Sequence, residues 1–186
     1  MPSGHAYAKA LRTVKTCVGS EWCRYGTQDS TAMGKALERA LWRMYAPHKV
    51  KLAVSGCPRN CAESGIKDVG VIAVESGWEI YVAGNGGIKT EVAQFLVKVH
   101  TSDEVLEYAG AFLELYRQDG FYLERTVHFV ARVGLDYVKR RIVEDGAARR
   151  ALWEQLQFAL ADEPDPWHQP REAGVDLRQY APLTVA

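Results

Sequence analysis

No stretch of the 186-residue chain approaches the ~20 consecutive apolar residues that span a bilayer, which excludes a transmembrane helix. The opening MPSGHAYAKALRTVKT has no apolar run of the kind a secretory signal needs. Charge of either sign is not in excess. Lys+Arg and Asp+Glu both number 23, so formal net charge is zero, which argues against a general nucleic-acid binder. There is no internal repeat, no low-complexity segment and no G-x-G-x-x-G after a strand pattern, so no dinucleotide-binding unit is expected within these residues. Histidines are few and scattered. His5, His48, His100, His128 and His168 form no i,i+4 pair and none adjoins a cysteine, so each reads as an ordinary histidine. With no export signal the expected compartment is the cytoplasm, where thiols stay reduced and paired cysteines read as metal ligands.

Cysteine is scarce, and all of it is spent in two tight pairs. Cys17 and Cys23 form C-x5-C, Cys57 and Cys61 form C-x3-C, and residues 24–56 lie between. Four thiolates converging on one point hold an iron–sulfur cluster or a structural zinc. Zinc knuckles favour C-x2-C, and C-x5-C is wide for one. Residues alone leave three readings: a 4Fe-4S cluster, zinc, or unligated structural thiols.

The length suits one domain with an appendage, and the apolar content of 47% is ordinary for a globular protein. Asp29-Ser30 reads as an N-cap, and Ala32, Met33, Ala36, Leu37, Ala40, Leu41 and Met44 recur at helical spacing until Pro47 stops them. Lys49–Ser55 alternates like a strand and delivers the chain into Gly56-Cys57-Pro58-Arg59-Asn60-Cys61. Asp68–Glu75 and Trp78–Ala83 read as strands joined by a Ser76-Gly77 hairpin, followed by a glycine-rich turn at 84–87. Thr90–Val99 reads as a short helix. Thr101 to Glu104 spells a capping box ahead of a helix that Gly120 ends. Glu124–Val133 and Leu135–Glu144, divided by Gly134, and Ala147–Ala161 read as further helices. Prolines at 164, 166, 170 and 182 argue for an extended tail. Residues 1–16 carry few cues. The order predicts an α+β fold, a small mixed sheet with flanking helices followed by a helical C-terminal region. The expected division is a cofactor-binding domain over 1–145 and a C-terminal helix with a Pro-rich tail over 146–186.

Thr16-Cys17-Val18-Gly19-Ser20-Glu21-Trp22-Cys23-Arg24-Tyr25-Gly26 and Val54-Ser55-Gly56-Cys57-Pro58-Arg59-Asn60-Cys61 resemble the sirohaem and 4Fe-4S domain of the nitrite and sulfite reductases. Within that family the likeness is greatest to the C-terminal part of the NAD(P)H-dependent assimilatory nitrite reductase large subunit. It takes in 46–49, 67–70 and 84–87 and continues weakly to about Asp145. The resemblance implies that Cys17, Cys23, Cys57 and Cys61 ligate the cluster. It implies also that Cys61 bridges to the sirohaem iron as its axial ligand. It implies reduction of nitrite to ammonium, or alternatively sulfite to sulfide, with electrons from NAD(P)H through flavin to cluster to sirohaem. A stand-alone 4Fe-4S electron-transfer module is the other alternative. FAD and NAD(P)H sites are expected only in an upstream part, because this chain carries one half of a two-half module. Met1 thus reads as a position inside a longer protein, whose other half and flavin domain are the expected partners, with a small subunit; neither nucleic acid nor membrane is.

An anionic substrate and the carboxylates of sirohaem both call for positive charge. Arg24 and Arg59, each close to a ligand cysteine, are the candidates for contact with haem or substrate; the plain alternative is a solvated surface charge. Lys49 and Lys51 share one strand face and, with Lys67, are further basic candidates. Asn60 and Gly56 read as loop geometry, with backbone N–H groups donating to cluster sulfurs. Asn85 among its glycines would let backbone approach the haem, or simply make a turn. Trp22 reads as a hydrophobic shield over the cluster or a packing residue.

Overall fold

The computed structural model describes residues 9–161. Strands β1 (Lys15–Thr16), β2 (Leu52–Ser55), β3 (Val69–Val74), β4 (Gly77–Val82) and β7 (Gln94–Val99) form one mixed sheet in the order β1-β2-β3-β4-β7. β1, β2 and β3 run parallel, and β4 and β7 are antiparallel to their neighbours. Strands β5 (Asn85–Gly86) and β6 (Thr90–Glu91) form a separate small hairpin. The helices are α1 (Gly19–Trp22), α2 (Ser30–Ala40), α3 (Ser102–Asp119), α4 (Thr126–Val133), α5 (Leu135–Lys139) and α6 (Gly146–Ala161). A π-helical stretch, Arg140–Glu144, continues α5. The architecture is the expected α+β. The expected extended tail, with His5 and His168, lies outside the described residues.

Local chemistry accounts for most elements. Asp29 caps α2, its carboxylate accepting from Ala32 N–H at 2.9 Å. The helix stops at Ala40, earlier than its apolar spacing suggests, and Arg43 takes a left-handed φ of 66°. Leu41 and Met44 still reach the core from that turn. The Thr101 capping box forms in full, and Gly120 closes α3 by donating to the Tyr116 carbonyl. The β3–β4 hairpin pairs Val74 with Gly77, so its two turn residues are Glu75 and Ser76, one place earlier than expected. Gly134, at φ 86°, separates α4 from α5 as expected.

Thr90–Val99 is not a helix. It forms β6 and β7, and β7 pairs with β4. The reason is a bulge: Tyr81 pairs with Phe95 but Ile80 pairs with Val97, which leaves Leu96 as an extra residue. The extra residue places buried Leu96 and Val99 three apart, a spacing that imitates a helix.

The core gathers Leu37, Leu52, Val71 and Ile80 with Phe112, Tyr116 and Phe129. α6 packs on α3 at Gly110, where an added Cβ would meet the Trp153 ring at 2.2 Å. Leu152 and Leu156 join the same core. Asp68, 1% exposed, ties β3 to α4. It accepts two bonds from Arg125, at 3.1 and 3.0 Å, one from the Thr126 hydroxyl and one from Lys51 N–H.

Candidate functional site

β1 and β2 lie side by side and parallel, so their carboxyl ends emerge at the same edge of the sheet. Cys17 follows β1 at once, and Gly56-Cys57 follows β2, so both cysteine loops leave from that edge. Ligand sites in open sheets favour such an edge. Cys17 N–H donates to the Val54 carbonyl at 3.3 Å, extending the strand pairing to the first cysteine.

The loops are locked together where glycine meets glycine. A Cβ on Gly56 would lie 2.7 Å from the Gly19 Cα, and one on Gly26 would lie 2.5 Å from the Gly19 carbonyl carbon. Gly19 itself holds a left-handed φ of 60°. Hydrogen bonds fasten the contact. The Gly56 carbonyl accepts from Thr27 N–H at 2.7 Å and from Gln28 N–H at 3.3 Å. The Thr27 hydroxyl donates to the same oxygen at 3.0 Å. Ser20 N–H donates to the Gln28 carbonyl, and Cys23 N–H to the Gly19 carbonyl, both at 3.0 Å.

The Gly56 amide donates to Cys17 Sγ at 3.1 Å, the kind of contact expected of this glycine. Buried Ser30 donates to the Cys17 carbonyl at 2.8 Å, and its Oγ lies 3.3 Å from Cys17 Sγ. Burial pushes the Cys17 thiol up, but the Ser30 hydroxyl and the Gly56 and Gly19 amides outweigh it and hold the thiol below its ordinary value. This favours the thiolate, the form that binds metal.

Cys57 is buried and Cys61 is exposed. Between them Asn60 adopts φ 56°. Its side-chain oxygen accepts from Ser55 Oγ at 3.3 Å and from Gly65 N–H at 3.1 Å, so the side chain shapes the loop. All four cysteines are free thiols. Among the described residues no three His, Cys, Asp or Glu side chains form a group that could hold one metal ion. Zinc needs every sulfur about 2.3 Å from a single centre. Four thiols on two adjoining loops, one already held toward thiolate, are the donor set a 4Fe-4S cluster takes.

Arg24 and Arg59 come together, both against one ring. Arg59 Cζ lies 3.9 Å and Arg24 Cζ 4.5 Å from the Tyr25 centroid, and Arg24 also donates to the Tyr25 hydroxyl. Tyr25 had no assigned role, since a ring gathering two cations from distant loops leaves no local sequence signal. Lys67 is engaged instead with Glu63 at 3.2 Å, which Lys15 also approaches at 2.9 Å. Lys51 is held below its ordinary value by burial and by the charges of Lys49 and Arg125. Trp22 is 81% exposed and so packs into no core of the described chain. Asn85 sits apart on the β5–β6 hairpin, its amide donating to the Lys89 carbonyl at 2.7 Å. Its side-chain oxygen is buried without a partner, and the residue lines a cleft of about 280 Å³ with Gln94 and His128. Among the described residues no helix is long and apolar enough to cross a membrane.

The family described as "Nitrite and sulphite reductase 4Fe-4S domain" matches residues 7–149. The chain is 54% identical over 167 residues to a NAD(P)H nitrite reductase of Bacillus subtilis (strain 168), a match covering 90% of this chain and 21% of that protein. It is 32% identical over 140 residues to an assimilatory-type sulfite reductase of Nitratidesulfovibrio vulgaris, covering 75% of this chain and 64% of that one. The crystal structure of dissimilatory sulfite reductase I shares the fold at a TM-score of 0.65 and 16% identity, over 72% of this chain and 52% of that one. The chain spans about a fifth of the length of the nitrite reductases it matches.

Proposed function

The chain belongs to the nitrite and sulphite reductase 4Fe-4S domain family, and from that premise we propose that it is the cluster- and sirohaem-holding part of an NAD(P)H-dependent nitrite reductase that reduces nitrite to ammonium. The observation that carries this reading is the interlock of the two cysteine loops at Gly19 and Gly56, with the Gly56 amide on the Cys17 sulfur. The remainder of a longer enzyme, or a partner chain, supplies the second half of the module, FAD and NAD(P)H sites, and any small subunit. Free, reduced cysteines fit a cytoplasmic setting.

When bound, the 4Fe-4S cluster and sirohaem supply electron delivery and bond cleavage. The chain supplies ligation, orientation and charge. Cys17, Cys23, Cys57 and Cys61 hold the cluster. Cys61, the exposed thiol of the four, is the one that bridges to the sirohaem iron. Gly56 and Ser30 keep Cys17 oriented and its thiolate stabilised. Asn60 holds the turn that sets Cys57 and Cys61. Arg24 and Arg59 offer positive charge to the anionic substrate or to haem carboxylates. Lys49 and Lys51 form a basic face with Arg125, offset by Asp68. Asn85 offers an unpaired acceptor at the hairpin cleft.

Sulfite is the second reading, favoured by the sulfite reductase relative of which this chain covers 64%. The test is anaerobic ultraviolet–visible spectroscopy with iron, sulfide and zinc analysis, before and after addition of sirohaem. Four irons per chain and a sirohaem spectrum are expected. Cys61→Ser is expected to abolish nitrite reduction in the complete enzyme; near wild-type activity would refute the bridging assignment. Zinc without colour would overturn the redox reading.

A further inference from the structure

Around the cysteine loops, positive charge falls into two kinds. Lys15 and Lys67 are both neutralised by Glu63. Arg24 and Arg59 are not: among the described residues neither has a carboxylate within ion-pair distance. These two cations come from different loops, Arg24 next to Cys23 and Arg59 two residues before Cys61. Two guanidiniums repel, yet both lie against Tyr25. The negative face of the ring and its hydroxyl offset that repulsion without neutralising either charge. A fold that gathers two unpaired, fork-shaped donors at one point and withholds a carboxylate has built a place for an anion.

We propose that Tyr25 is a positioning residue that holds Arg24 and Arg59 together as a two-armed clamp for a planar oxyanion beside Cys61, a proposal resting on the reading of the site given above. Nitrite and a sirohaem carboxylate share that chemistry. The ring ties the two cysteine loops through their charged side chains, whereas Gly19 and Gly56 tie them through the backbone. Tyr25 is 44% exposed, so its truncation leaves the core packing intact.

The test uses the cofactor-loaded protein and three variants: Tyr25→Leu, Tyr25→Phe and Arg24→Ala/Arg59→Ala. Iron per chain, sirohaem per chain and the nitrite Kd from titration of the haem absorbance are measured. Tyr25→Leu should keep its iron. With sirohaem content intact and nitrite Kd raised about tenfold, the clamp serves the free anion. With sirohaem content reduced instead, it serves a cofactor carboxylate. Tyr25→Phe keeps the ring and should stay within about threefold of wild type. If Tyr25→Leu matches wild type in both readouts while the double arginine variant is impaired, the arginines act without Tyr25 and the proposal fails. If the double variant is also unimpaired, the anion role of the arginines falls with it. Loss of iron in Tyr25→Leu would make Tyr25 a support of the loops rather than of the guanidiniums, which overturns the proposal.

Discussion

Gly56→Ala should damage the site far more than a single methyl usually does. The new Cβ would sit 2.7 Å from the Gly19 Cα and 3.1 Å from the Gln28 carbonyl oxygen. Ordinary contact begins near 3.4 Å, so one backbone must move against another by most of an ångström. Neither partner is a flexible side-chain end. Overpacking of this kind costs about 1–3 kcal/mol. Separating the loops also stretches the bonds at the Gly56 carbonyl from Thr27 and Gln28, each worth about 1 kcal/mol. A total of about 2–4 kcal/mol follows, or roughly 1–2 M in the urea midpoint of a small protein. The same displacement lengthens the Gly56 amide contact to Cys17 Sγ, so iron content should fall as well. Urea unfolding under reducing conditions, with iron assayed in parallel, measures both. Gly146→Ala is the control. An added Cβ there meets only arginine side-chain ends at 3.6 Å or beyond, in a helix, so it should be neutral or stabilise by about 0.5 kcal/mol. A Gly56→Ala protein with an unmoved midpoint and a full complement of iron would show that the loops have slack, and the interlock argument would be wrong.

Two further substitutions probe the scaffold. Asp68→Asn removes the charge that faces Arg125 in a site 1% exposed, and should cost about 3 kcal/mol by chemical denaturation; a loss below 1 kcal/mol would make the pair incidental. Thr101→Ala breaks the capping box of α3 and should cost about 1 kcal/mol, read as a lowered thermal midpoint. Its partner Glu104 adds a pH signature. The backbone amides of His100 and Thr101 hold its carboxyl below the ordinary 4.5, so its stabilisation is present above that value and lost as pH falls through the lowered one. Glu104→Gln should flatten that acid limb of the stability profile, and an unchanged limb would refute the assignment.

Where local chemistry decides structure, the sequence was readable. Asp29 ahead of Ser30, Thr101 with Glu104, and the turn before Gly77 each specify an element end through side chain or φ. Cys17, Cys23, Cys57 and Cys61 announced a site by spacing alone, and the parallel β1–β2 pairing explains how those loops meet. What was hidden depends on partners far along the chain. β7 passed for a helix because the bulge at Leu96 breaks its alternation. β1 is two residues at a sheet edge, too short to carry a pattern. Tyr25 looks like any exposed aromatic until Arg59 arrives from the other loop. Asp68 acquires its meaning only when Arg125 and Thr126 close over it.

β1 also sets when the site can be filled. It is the thinnest strand of the sheet, held by a two-residue parallel pairing at an edge, while Cys57 follows the fully buried β2. Local opening free energies track such differences, so β1 frays long before β2, β3, β4 or β7 release. Amide hydrogen exchange would therefore run fast around Lys15 to Cys17 and slow along Leu52 to Ser55. One pair of thiols is a fixed jaw and the other a hinged one. Loading inorganic cargo into such a mouth needs a fluctuation of a few residues, with the hydrophobic interior kept shut throughout.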